Sequence, residues 1–371
     1  MQSVFPPTPK ADSHSLGDTK ARSRCPHVDA LKGVGILFVV ALHSYPLPLS
    51  DPKSVSHKLF GWFNWVVPGF FASSGFLYAK NTSIAAALRR LARLLPAYVS
   101  ASVVAMLLKS ALVAPVPLEE WFSNLVCGSA WELFYFVPLL AFFTVATPSL
   151  GKLPPWLLRC LLVVTVVAHF AKEVAHVGNV GSLQTHPESI FWVLRNPMNW
   201  FGYFLIGWLS PLVQATPRQG VVALAALLLL RVAAVNIWSD GLNLAVTDVC
   251  GLLAWNYTVV LCAPILLPPG KAPSLPFGRQ VEWLSANSYT IYLYHILFLF
   301  LFSTRFAVDP ASSWLIPASF AAMSFAMACT CGIALVAPRV LGPAVSAAVF
   351  GCVGDEGPSA AAAAEDVKAT V

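Results

Sequence analysis

Ten apolar segments divide this chain, at about 33–50, 60–79, 94–114, 131–149, 156–176, 191–213, 220–238, 244–267, 287–304 and 311–336, and each is long enough to span a bilayer. In hydrocarbon no water satisfies a backbone N–H or C=O, so apolar runs of this length fold as helices. The composition agrees. A mean hydropathy of +0.70, with 57% hydrophobic and 11% charged residues, leaves too little polar surface to keep a soluble fold wet. The chain therefore reads as an all-α integral membrane protein, a bundle of about ten transmembrane helices. The segment 60–79 is interrupted by Pro68, Gly69 and Gly75, breaks that survive only where neighbouring helices cover the freed backbone groups.

The flanks differ in composition from the bundle. Residues 1–24 are polar, rich in Pro, Ser and basic side chains, and read as a disordered N-terminus without a cleavable signal pattern, so the first helix stays in the mature protein. Residues 25–340 form the transmembrane domain, and 341–371, with an alanine run beyond Gly354, read as a largely disordered C-terminal tail. Threading ten spans puts sixteen of the 23 Lys and Arg residues on the side of the termini and seven on the other, which predicts that both termini are cytoplasmic. The sequon Asn81-Thr82-Ser83 then faces the cytoplasm and carries no glycan. The net charge of +6 sits mostly in short basic loops and reports orientation rather than nucleic-acid binding. The eight cysteines form no C-x-x-C pair and read as small buried hydrophobes.

Chemistry concentrates first in DALKGVGILFVVALH, residues 29–43. Lys32 and His43 are eleven positions apart, three turns and a few degrees, so both lie on one helix face roughly 16 Å apart. An intramembrane imidazole marks a cavity or pathway, and it can act as a general base or as a nucleophile that carries an acyl group. Asp29 and Lys32 are spaced i, i+3, which lets them pair while Lys32 stays open to an anionic ligand; first-turn charges also simply anchor helices. In ALRRLARLLPAY, Arg89, Arg90 and Arg93 precede an apolar span that opens with Pro96. Their guanidinium forks suit phosphate oxygens, and the same cluster suits a positive-inside anchor. Two further polar sets lie in apolar surroundings: Trp131, Glu132 and Tyr135, and the stripe Ser288, Tyr292 and His295 in NSYTIYLYH. A carboxylate such as Glu132 needs a partner in hydrocarbon, for which His43, His295 or a basic side chain is a candidate. Buried His, Glu and Tyr would equally equip a proton-coupled transporter, although no repeated halves stand out.

The order of these elements resembles the acyltransferase-3 family of multi-pass membrane O-acyltransferases over about Cys25 to Arg339. Its opening signature corresponds to Asp29, Leu31, Lys32, Gly33 and His43, with Lys32 where many members carry Arg. FFASSGFLYA resembles the family's Phe-Phe-x-x-Ser-Gly-Phe run through Ser74 and Gly75, and RRLARLLPAY is similar to its basic run before a proline. SAWELFYFVPLL, FGYFLIGWL with Gly207, and NSYTIYLYH through Ser288, Tyr292, Leu293 and His295 continue the likeness. The resemblance implies transfer of an acyl group, usually acetyl, from cytoplasmic acyl-CoA (acetyl-CoA) to a hydroxyl on a carbohydrate or similar acceptor. It implies catalytic roles for His43, Glu132, Tyr292 and His295, and donor-binding roles for Asp29, Lys32, Ser74, Arg90 and Arg93, with no metal.

Overall fold

The computed structural model describes residues 25–45, 62–178, 194–212, 217–222, 224–226, 229, 241–266, 277–306 and 314–352. Its helices are α1 (Pro26–Ser44), α2 (Val66–Ala79), α3 (Ile84–Leu112), α4 (Leu118–Cys127), α5 (Phe136–Leu150), α6 (Pro155–Gly178), α7 (Pro197–Leu209), α8 (Gly241–Leu266), α9 (Gly278–Arg305), α10 (Leu315–Leu341) and α11 (Pro343–Phe350). Tight 3₁₀ turns at Trp62–Trp65 and Glu132–Tyr135 lead into α2 and α5. Six of the described segments are long and apolar enough to cross a membrane: α1, α3, Leu133–Leu150, Pro155–Lys172, α9 and α10. The protein is thus an all-helical, multi-pass membrane protein. Nine of the ten expected spans coincide with a helix, and the tenth, over 220–238, falls largely outside the described residues.

The interrupted segment forms α2 intact because Pro68 is only its third residue, where the missing N–H has no intrahelical partner anyway. Small residues then bring α2 against α7. A Cβ on Gly75 would run into the carbonyl of Phe204, and one on Gly207 into the carbonyl of Ala72, so these backbones touch without side chains between them. Around this crossing lies the core, with Phe71, Phe134, Phe143, Tyr203, Phe204, Ile36 and Met106 fully buried. Phe143 stacks on Phe204 with ring centroids 5.0 Å apart. Apolar side chains on the outer faces remain exposed, such as Val163, Val164 and Val167 on α6 and Phe320 and Val336 on α10, as a lipid-facing surface requires.

Two short helices lie outside the ten apolar segments. Helix α4 carries Leu118, Phe122 and Val126 on one exposed stripe, with Trp121 and Leu125 packed inward, and ends on Gly128 at φ 66°. Helix α11 lies in the stretch expected to be a largely disordered tail. Tyr294 of α9 donates from its hydroxyl to the Val349 carbonyl at 2.9 Å, and Cys352 is buried, so packed structure continues at least that far. Pro343 at its start and Gly351 in the left-handed region at its end give this eight-residue helix both stop signals. The expected tail beyond 352 and the N-terminal 1–24 lie outside the described residues.

Candidate functional site

Helices α1 and α9 lie side by side and parallel. Gly33 within α1 faces the Val281 carbonyl in the first turn of α9 so closely that any side chain would collide with it; further along both helices His43, at the end of α1, meets His295 in the middle of α9. The glycine after Lys32 therefore sets the spacing that lets two distant histidines touch. His43 Nδ1 is 3.1 Å from His295 Nε2, with ring centroids 5.2 Å apart and planes 30° from parallel. His43 is half-buried, whereas His295 has no exposed surface. On its other nitrogen, His295 Nδ1 lies 2.8 Å from the Tyr292 carbonyl and 3.1 Å from that of Ile291.

A cavity of about 210 Å³ runs between α1, α2, α3, α5 and α9. Lys32 and Val39 line it from α1; Phe70, Ser74 and Tyr78 from α2; Leu94 from α3; Phe136 and Leu140 from α5; Ser288, Tyr289 and Tyr292 from α9. Its lining follows α1 from Lys32 to Val39 and stops one turn short of His43. On α9 it ends at Tyr292, whose ring centroid is 6.2 Å from that of His295. The cavity thus starts beside an ammonium and ends against the ring next to the histidine pair.

Four of the five hydroxyls in the lining are held by backbone. Ser74 donates to the Phe70 carbonyl at 2.9 Å, Ser288 to Ser285 at 2.8 Å, and Tyr289 to Leu94 across to α3 at 2.7 Å. Tyr292 donates to the Leu133 carbonyl in the turn before α5. Its proton is therefore committed, and its ring packs edge-on against Phe136 at 5.3 Å. Glu132 lies in that same turn, but its side chain falls outside the described residues.

Where α2 hands over to α3, the sequon acts as a cap. The Asn81 side chain accepts from the Ser83 amide at 3.2 Å and from its hydroxyl at 2.8 Å, and the Ser83 hydroxyl accepts from the Ala86 amide at 3.2 Å. The turn is short enough for Arg90 to reach back and donate to the Asn81 carbonyl at 2.8 Å. This hold lays the guanidinium over the Tyr78 ring, 4.3 Å from its centroid. The second terminal nitrogen of Arg90, Nη1, is buried and makes no hydrogen bond. Arg89 and Arg93 are exposed on the opening turns of α3, which continues through Pro96 without a break. Asp29 is half-buried one turn before Lys32.

Of the sequence-selected residues, the fold brings Lys32, Ser74 and Tyr292 to one cavity, pairs His43 with His295 beyond it, and sets Arg90 against the cavity wall through Tyr78. Arg93 is not part of the lining. Tyr78 and Tyr289 were not singled out from the sequence. Tyr78 follows Ser74 by four and Phe70 by eight, one helix face, and Tyr289 directly follows Ser288; the periodicity carried the first signal. A second polar cluster joins residues far apart in sequence, which no local spacing marks: His169 Nδ1 is 3.1 Å from the Tyr257 hydroxyl, and Lys172 donates to Asn199 at 3.0 Å.

Against known proteins, the family model Acyl_transf_3, described as an acyltransferase domain, matches residues 26–336. No curated protein and no solved structure matches.

Proposed function

Since the chain belongs to the acyltransferase-3 family and is a membrane acyltransferase, we propose that it moves an acyl group, acetyl foremost, from cytoplasmic acyl-CoA to a hydroxyl of a carbohydrate or similar acceptor. The observation that carries this reading is the cavity that begins at Lys32 and ends against Tyr292, one residue layer from the His43–His295 pair. At about 210 Å³ it is smaller than the ~300–1,000 Å³ pockets that enclose a whole drug-sized ligand. A slender acyl-pantetheine arm suits such a space, while the bulky, charged nucleotide stays at its basic mouth.

Phosphate oxygens would be held there by Lys32 and by Arg90, whose Nη1 is buried here without a hydrogen bond and would turn toward the donor, with Arg93 adding field from the surface. Asp29 keeps the first turns of α1 from being wholly cationic, and Ser74 lines the path. The arm follows the cavity along α1 from Lys32 to Val39 and would extend one further turn to present its thioester to the imidazole. His43 then takes the proton of the acceptor hydroxyl as that oxygen attacks the thioester carbon. The C–S bond breaks, the departing sulfur receives the proton from His43, and an ester and a free thiol result. The Tyr292 hydroxyl, bonded to the Leu133 carbonyl, serves the wall rather than the developing oxyanion in this arrangement. A catalytic role for Glu132 is likewise proposed. Both termini are proposed to be cytoplasmic.

Reconstituted protein incubated with radiolabelled acetyl-CoA and a panel of hydroxyl acceptors tests the proposal. Label transferred to an acceptor supports it. Proton-coupled uptake of a solute into the vesicles without any label transfer would instead favour a carrier.

A further inference from the structure

We propose that His295 is a positioning residue: it fixes His43 as the Nδ1–H tautomer, so that the bare lone pair, the one able to take a proton, is on Nε2. This rests on and deepens the reading of His43 as general base.

Carbonyl oxygens only accept. The carbonyls of Tyr292 and Ile291 lie 2.8 and 3.1 Å from His295 Nδ1, so that nitrogen carries the hydrogen. A neutral imidazole has one N–H, which leaves His295 Nε2 with a lone pair. That lone pair is 3.1 Å from His43 Nδ1, and two lone pairs cannot face each other at that distance. His43 Nδ1 is therefore the donor, and Nε2 is left as its acceptor nitrogen. Full burial of His295 enforces its neutral state, because no water reaches the ring to solvate a charge. As His43 gains a proton at Nε2, its Nδ1–H stays bonded to His295, so the developing imidazolium keeps a partner that does not itself ionise. The outer group that orients a histidine is more often a carboxylate or a carbonyl. Here the second imidazole relays the direction set by two backbone carbonyls of α9, the helix Gly33 lets approach.

The test uses full-length protein labelled with ¹⁵N at the imidazoles, in vesicles at a pH where histidine is neutral. The His43 signals are identified by their loss in His43→Gln. Wild type is expected to show His43 protonated at Nδ1 and bare at Nε2. His295→Phe keeps ring volume but removes that acceptor, leaving the Val39 carbonyl one turn back as the remaining partner of His43, and is expected to move His43 toward the Nε2–H form preferred by free imidazole. It should lower kcat about 100-fold or more with donor KM unchanged. His295→Gln restores an acceptor oxygen and recovers most of kcat together with the wild-type spectrum. An Nε2–H signal for His43 in wild type overturns the proposal, as does an unchanged His43 spectrum in folded His295→Phe. Should His295→Phe fail to fold, the wild-type spectrum alone decides. Retained turnover in His43→Ala would defeat the base reading while leaving the tautomer assignment readable in the spectrum.

Discussion

Lys32 lines one end of the cavity, where the proposed anionic donor would enter. A hydrogen bond to a charged group contributes roughly 1.5–3 kcal/mol. Lys32→Ala is therefore expected to raise the KM for acyl-CoA about 10- to 100-fold with kcat little changed, whereas Lys32→Arg keeps most of the affinity. Steady-state kinetics at varied donor concentration checks this, and a fall in protein level alone would make Lys32 an anchor. Arg90 offers a second probe. Its guanidinium is held by the Asn81 carbonyl and the Tyr78 ring, leaving one nitrogen unpaired. Arg90→Lys keeps the charge but not the planar fork, so donor KM is expected to rise nearly as far as in Arg90→Ala. At this scale the sequence spoke where spacing is local: Lys32 and His43 share a face by helical period alone. It was silent on the His43–His295 contact, because a pair separated by 252 positions leaves no periodic trace.

Between elements, packing rests on glycines. Gly33 lets α9 lie against α1, and Gly33→Ala forces the Val281 carbonyl away and separates the histidines at the far end of the pair. Overpacking of this kind costs about 1–3 kcal/mol. Gly33→Ala is expected to melt at a lower temperature and to lose turnover out of proportion to that loss, while Gly278→Ala, with open space around it, should change neither. Thermal unfolding in detergent beside acyl-transfer assays measures both. The long helices were legible because each is a sustained apolar run. Helices α4 and α11 were not, since ten and eight residues with polar or small side chains do not rise above the hydropathy of their neighbours. The eight residues of α11 gain their order from packing against α10 and α3, with Tyr294 of α9 donating to the Val349 carbonyl.

For the whole molecule, the basic start of α1 and of α3 and the end of α2 meet at one end of the bundle: Lys80, just past α2, donates to the Cys25 thiol at 3.2 Å, and Arg90 returns to Asn81. A donor steered to that end by charge is screened by salt within about 10 Å at 0.1 M. Raising ionic strength is expected to increase donor KM in wild type and to do so less steeply in a variant with Lys32, Arg90 and Arg93 neutralised; equal slopes would deny the steering role. Orientation follows the same logic: a reporter fused after Val371 should behave as cytoplasmic, and reporter activity on the opposite side would invert the proposed donor side. The measurement that bears most directly on the account is single-turnover acyl transfer by His43→Ala in vesicles, with acyl-CoA binding measured in parallel. The account predicts donor binding near wild type with transfer reduced about 100-fold or more; transfer at the wild-type rate by that variant would contradict it.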